Sequence, residues 1–162
     1  MIKAALIYIL ISMSACVSVN LDPSSESKRA TGVEVKEPSK PFVRMERTDV
    51  DGAWRNDKNG NVISYLSDCK DPGDPSLDAI VSGVVAGLAE LNYDSKESVT
   101  ILGREGRRVL ASGKVDGVPS LIDLLVFKRN HCIYILTQVG VKTAFNADRG
   151  QFSRFINGFQ VP

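Results

Sequence analysis

The residue types that could do chemistry are few and scattered. With one His and three Cys in 162 residues, a multi-ligand zinc site or a histidine-driven acid–base centre has little material to draw on. His131 and Cys132 are adjacent, which invites a thiol–imidazole reading. Neighbours on a strand point to opposite faces, so these two cannot serve as nucleophile and base for each other; a structural Cys beside a turn His is the expectation. Asp123 is the most informative single residue. It lies in Leu121-Ile122-Asp123-Leu124-Leu125-Val126-Phe127, where a charge is costly unless paired. Arg104, Arg107 and Arg108, before and at the start of the adjacent predicted strand, supply candidate partners, for either a structural bridge or the polar floor of a pocket. Asp68, Asp71, Asp74 and Asp78 cluster around a predicted helix start. The helix dipole favours carboxylates there, so capping is their expected role.

Two short loops carry familiar spacings without the context those spacings need. A calcium loop of the EF-hand type starting at Asp57 requires Gly where Val62 stands, so Asp57-Lys58-Asn59-Gly60-Asn61 is expected to be a hairpin turn. Gly103-Arg104-Glu105-Gly106 has the GXXG form that clamps nucleic-acid backbones between helices in KH domains. Here it lies between strand-like segments and is expected to connect them. Lys+Arg 20 against Asp+Glu 19 gives a net charge of +1, which argues against a nucleic-acid partner recognised through a basic surface. No Ser/His/Asp spacing, metal motif or phosphate loop stands out. The sequence therefore predicts no catalytic residue, no metal and no cofactor.

The elements that must position these residues begin with a leader. Met1-Ile2-Lys3 is a short cationic start, Ala4 to Ile11 an uncharged apolar run, and Ser12-Met13-Ser14-Ala15 a small-residue region, the layout of a secretory signal over 1–15. The run is shorter than the roughly 20 apolar residues a spanning helix needs. Met13-Ser14-Ala15-Cys16 resembles the lipobox of bacterial lipoproteins. That resemblance implies a lipidated Cys16 as the mature N-terminus and a membrane partner through its acyl chains. Plain secretion with a cut after Ala15 is the other reading; it would put Met13 where a small residue is required. By the same resemblance Val17, in place of an Asp, implies a periplasm-facing anchor in the outer membrane. If Cys16 carries lipid, Cys69 and Cys132 remain as an even pair in an oxidising compartment. A bridge between them closes a loop of about 63 residues, worth about 4 kcal/mol in the chain-entropy model; two separate buried thiols are the alternative.

Residues 17–48 read as a polar, proline-punctuated linker that spans roughly 30 Å on average. A single domain is expected over 49–162. Asn59-Gly60 sits between Ala53-Trp54-Arg55 and Val62-Ile63-Ser64-Tyr65-Leu66, a strong hairpin signal because both turn positions need positive φ. Asp74-Pro75 opens a predicted helix as N-cap and first-turn proline, and Leu77, Val81, Val84, Leu88 and Leu91 continue it at helical spacing. Gly83 and Gly87 lie beside that stripe and are expected to let a sheet approach closely. Val99–Leu102, Arg107–Lys114, Val118–Lys128 and Cys132–Val139 form a predicted meander, punctuated by Asp116-Gly117 and Arg129-Asn130. Two of its strands are apolar in both phases, as strands in the middle of a covered sheet are. A last helix over Ala147–Asn157 brings Phe152, Phe155 and Ile156 to one side.

This order (hairpin, helix, four-strand meander, helix) resembles the PsbP-like superfamily, which includes the photosystem extrinsic protein P and DcrB-type lipoproteins. The resemblance covers about residues 50–162 and rests on element order, on Arg104-Glu105-Gly106 before a strand, and on Phe152-x-x-Phe155-x-x-Gly158-Phe159. It implies an α+β fold with a mainly antiparallel six-stranded sheet sandwiched between helices. It also implies a non-enzymatic role as an assembly or stabilising factor of membrane complexes, with an envelope protein as partner. Two other functions compete. One is a binder of a small apolar or lipid ligand held near Trp54, Tyr65, Phe152 and Phe155, aromatic residues that plain core packing also explains. The other is a hydrolytic enzyme.

Overall fold

The computed structural model describes residues 28–69 and 74–162. The predicted signal and Cys16, the first part of the linker and Asp71 lie outside the described residues. One antiparallel sheet of seven strands dominates, in the order β1-β2-β3-β7-β6-β5-β4. The strands are β1 (Phe42–Arg44), β2 (Gly52–Asn56), β3 (Val62–Asp68), β4 (Ala89–Ile101), β5 (Arg104–Val115), β6 (Val118–Arg129) and β7 (Cys132–Val141). Helix α1 (Leu77–Val85) falls between β3 and β4, and a 3₁₀ turn (Phe145–Asp148) leads into helix α2 (Arg149–Asn157) after β7.

Tight turns set the registers. Leu102-Gly103, Asp116-Gly117 and Asn130-His131 all have positive φ at both positions, the conformation that matches the right-handed twist of two paired strands. They join Ile101 to Arg104, Val115 to Val118 and Arg129 to Cys132. The last turn thus falls one residue later than the expected Arg129-Asn130. The GXXG segment divides between a turn and a strand, with Gly103 in the turn and Arg104-Glu105-Gly106 opening β5.

Alternation along β6 separates two cores. Leu125 and Phe127 face Trp54, Ile63, Tyr134, Leu136 and the α2 residues Phe152, Phe155 and Ile156. Ile122, Leu124 and Val126 face the opposite way, onto Val81 and Val85 of α1 and Val109 and Ala111 of β5. A helix therefore covers each face, and the strands apolar in both phases lie at the sheet's centre, as expected.

Four expectations are corrected. The strands number seven, not six, because β1 forms inside the segment taken for linker. There Phe42 is buried, Glu34 pairs with Gln160 across an isolated bridge, and Arg29 donates to the Ser67 carbonyl at 2.9 Å. The ordered domain thus starts well before Asp49. Helix α1 is shorter than its apolar spacing suggests. Its N-cap is Ser76, whose hydroxyl accepts from the Ala79 amide at 3.1 Å, while Asp74 pairs with Lys128 at 2.5 Å. It ends at Val85, and Leu88 and Leu91 leave it, because β4 gains a ladder along nearly all of β5, a tertiary gain that outweighs helical periodicity in a Gly-punctuated segment. A Cβ on Gly83 or Gly87 would meet nothing within 4 Å, so neither glycine serves close packing.

Candidate functional site

The site grows out of the place where the cover given by α2 runs out. Helix α2 has nine residues, about 13 Å of helix, too short to span a seven-stranded sheet. It packs its aromatic side chains over β2, β3, β7 and part of β6. Val99 and Ile101 of β4 reach the same core, while the stretch of β4 and β5 around Ser95, Glu97, Arg108 and Leu110 is left open. A cavity of about 460 Å³ lies there, lined by Ser95 and Glu97 of β4, Arg108 and Leu110 of β5, Asp123 of β6, and Arg149, Gly150 and Ser153 of α2.

Its floor is the pair read from the sequence. Arg108 donates from Nε to Asp123 Oδ1 at 3.0 Å and from Nη2 to Asp123 Oδ2 at 2.9 Å. The two residues are diagonal neighbours, since Leu110 stands opposite Asp123 and Arg108 opposite Leu125. The Asp123 side chain is 3% exposed and that of Arg108 35%, so the carboxylate is sunk and its guanidinium partner bridges it to the cavity. Forked geometry of this kind is the strong form of the interaction. The bonds to Asp123 hold the Arg108 pKa above its ordinary value, and the charge of Glu97 adds to the effect.

The other arginines named with it go elsewhere. Arg107 projects from the α1 side of the sheet, bonds the Ser98 hydroxyl and pairs with Asp78 at 3.2 Å. Arg104 is exposed beside the Leu102-Gly103 turn. Neither touches Asp123, because residues one apart on a strand face opposite ways and Arg104 is a full four residues up the strand.

The four aromatics proposed as a ligand pocket are filled core. Trp54 meets Phe155 edge-on at 5.5 Å between ring centroids and stacks on Tyr65 at 6.4 Å; Phe152 is completely buried. Their own rings occupy the space a ligand would need. Cys69 and Cys132 are bridged, tying the end of β3 to the start of β7, where Asp68 stands opposite Ile133. Of the acidic cluster, only Asp78 lies in the first turn of α1.

A second buried carboxylate was missed. Asp148, the N-cap position of α2, makes no side-chain cap. Instead it accepts from Asn56 Nδ2 at 2.9 Å, Asn59 Nδ2 at 2.8 Å and Asn61 Nδ2 at 2.7 Å. The Asn56 and Asn59 oxygens are fixed by local turns, accepting from the amides of Lys58 and Asn61, so those two amide groups present N–H to the carboxylate. Asn61 is oriented by donating to both Asp148 and the Ala144 carbonyl. The hairpin Asn56–Asn61 is thereby latched to the start of α2. Its signal was three Asn within six residues, Asn56, Asn59 and Asn61, in a stretch that reads only as a turn.

No protein-family model matches the chain, and neither does any curated protein. Solved structures do. LpqN of Mycobacterium tuberculosis, involved in cell envelope biogenesis, aligns over 86% of this chain and 88% of its own with a TM-score of 0.60 at 9% identity. The PsbP of the cyanobacterium Synechocystis sp. PCC 6803 (CyanoP) aligns over 81% and 87%, with a TM-score of 0.56 at 13% identity. A Pseudomonas aeruginosa protein of unknown function aligns over 86% and 88%, with a TM-score of 0.54 at 13% identity. The fold is PsbP-like. At these identities the likeness concerns the fold, and function must be argued from the site.

Proposed function

We propose that this chain is a membrane-tethered, non-catalytic recognition module of the bacterial cell envelope, anchored through a lipidated Cys16 and facing the periplasm from the outer membrane. The observation that carries the recognition part is the cavity floor. Both oxygens of Asp123 are engaged by Arg108, and a guanidinium with a raised pKa has no proton to give at neutral pH. Such a floor offers a binding partner a fixed, internally neutralised ion pair with a half-exposed guanidinium, and is poorly suited to acid–base work.

The anchor rests on the Met13-Ser14-Ala15-Cys16 lipobox resemblance. Removal of residues 1–15 takes away one basic residue, Lys3, leaving 19 basic against 19 acidic groups, so lipid and not charge would hold the mature chain to the bilayer. A likeness in fold to LpqN, a protein of cell envelope biogenesis, supports the envelope assignment. An envelope protein is the macromolecular partner this reading expects.

Membrane fractionation of wild type and Cys16→Ala, combined with in-cell crosslinking, tests it. Wild type should pellet with membranes and crosslink to a defined envelope protein, whereas Cys16→Ala should appear in the soluble periplasmic fraction and lose that crosslink. Equal membrane retention of the two would remove the anchor.

A further inference from the structure

We propose that the cavity between β4, β5, β6 and the start of α2 binds a small zwitterion, an amino acid or short peptide, with its carboxylate toward Arg149 and its ammonium toward Glu97. This deepens the recognition-module reading and rests on it.

Charge arithmetic within the cavity selects this chemistry. Four charged side chains line it, two cationic (Arg108 and Arg149) and two anionic (Asp123 and Glu97). Arg108 and Asp123 neutralise each other through paired hydrogen bonds. Arg149 lines the cavity from the helix and Glu97 from the edge strand. Glu97 stands opposite Arg108 in the ladder and its charge acts on that guanidinium, but neither Glu97 nor Arg149 forms an ion pair or side-chain hydrogen bond among the described residues. A simple anion drawn to Arg149 would meet Glu97, and a simple cation drawn to Glu97 would meet Arg149. A molecule carrying both charges satisfies both walls at once.

Two further features point the same way. The hydroxyls of Ser95 and Ser153 also line the cavity and suit the amide groups of a short peptide. A cavity of about 460 Å³ is in the range of small-molecule sites and far larger than a single ion requires.

Calorimetric titration of the full-length protein in detergent micelles tests the proposal, with four probes: L-alanine, L-alanyl-L-alanine, the N-acetylated dipeptide and the dipeptide amide. The free dipeptide should bind at least about tenfold more tightly than either singly charged analogue. Alanine against dipeptide tells a free amino acid from a peptide. In Glu97→Gln the preference for the free amine over the acetylated form should vanish while the preference for a free carboxylate persists; Arg149→Gln should show the reverse. Both residues are exposed, so unchanged thermal melts are expected to establish that the variants fold. Absence of binding by every probe up to about 10 mM, or equal binding of free and blocked dipeptides, overturns the proposal. Neither result bears on fractionation of Cys16→Ala, so failure of the ligand and failure of the anchor remain separate.

Discussion

Asp123 and Asp148 are both withdrawn from water near the start of α2, at 2% and 6% exposure, yet their surroundings solve the cost of burial differently. Asp123 faces a guanidinium that reaches the cavity. Asp148 faces no cation among the described residues; three primary amides take the place of its hydration shell. The first arrangement leaves charge at the edge of an open space, where a ligand can use it. The second leaves no N–H directed at open space: each amide is bonded to the carboxylate, two of the three are pinned by turns on their oxygen side, and the one unpartnered oxygen, Asn61 Oδ1, is itself buried. Burial of a carboxylate is therefore no marker of function by itself. What distinguishes the two is whether their partners have groups to spare.

The sharpest way to break this comparison is Asp148→Ala. It would strand the Asn56, Asn59 and Asn61 amides and release the hairpin from α2. With about 1–3 kcal/mol per orphaned buried group and some relaxation, the expected loss is about 4 kcal/mol in urea denaturation; a loss below about 1 kcal/mol would remove the latch reading. Next comes Arg108→Met, which leaves Asp123 buried without its partner and should cost about 3 kcal/mol. Asp123→Asn should cost less, about 1–2 kcal/mol, since the half-exposed guanidinium can turn back to water. Equal losses from the two substitutions would contradict the asymmetry in burial.

The latch also explains Gly140. A Cβ there would lie 1.9 Å from Asn61 Oδ1, and Asn61 cannot withdraw while Asp148 and the Ala144 carbonyl hold its amide. Gly140→Ala should cost about 2 kcal/mol. In an Asn61→Ala background most of that penalty should disappear, and additive losses in the double-mutant cycle would show that the glycine is required for another reason.

How far this was legible in the sequence follows from what each residue contacts. The β2–β3 hairpin, the β5–β6–β7 meander and the Arg108–Asp123 pair were legible because each rests on a local rule: a turn signal, alternation, or the cost of charge in an apolar run. The turn itself differs from expectation, since of Asn59 and Gly60 only Gly60 has positive φ. The Asp148 latch was not, since its four residues converge across separations as large as 92 positions and none of them looks unusual alone. Only the end of edge strand β4 was legible, as the predicted Val99–Leu102 strand; its longer first part was hidden for a different reason. Ala89–Ser98 is exposed along its whole length, so it has no apolar phase to betray it, and Leu88 and Leu91 happened to fit the preceding helix. The cavity was legible only as one of two readings of Asp123. Its walls come from β4 and from the start of α2, and only the folded chain shows that α2 leaves this stretch of β4 and β5 open.

A third carboxylate extends the comparison to its solvated limit. Asp78, in the first turn of α1, pairs with Lys96 at 2.8 Å and Arg107 at 3.2 Å, and its side chain is 51% exposed. The hydrogen bond from Lys96 holds its pKa below the ordinary value, with the Arg107 charge contributing. A carboxylate whose folded pKa is depressed lends stability above its unfolded pKa and loses it as pH falls through the folded value. In water that contribution is screened and small. Carbon-detected NMR should therefore show Asp78 titrating at lower pH than in the unfolded chain. Lys96→Gln should raise the midpoint toward the ordinary value and weaken the dependence of the shift on salt, with little change in the neutral-pH melting temperature. A large fall in melting temperature would mean that the α1–β4–β5 ion pairs are as structural as the buried carboxylates, and exposure would no longer separate the three.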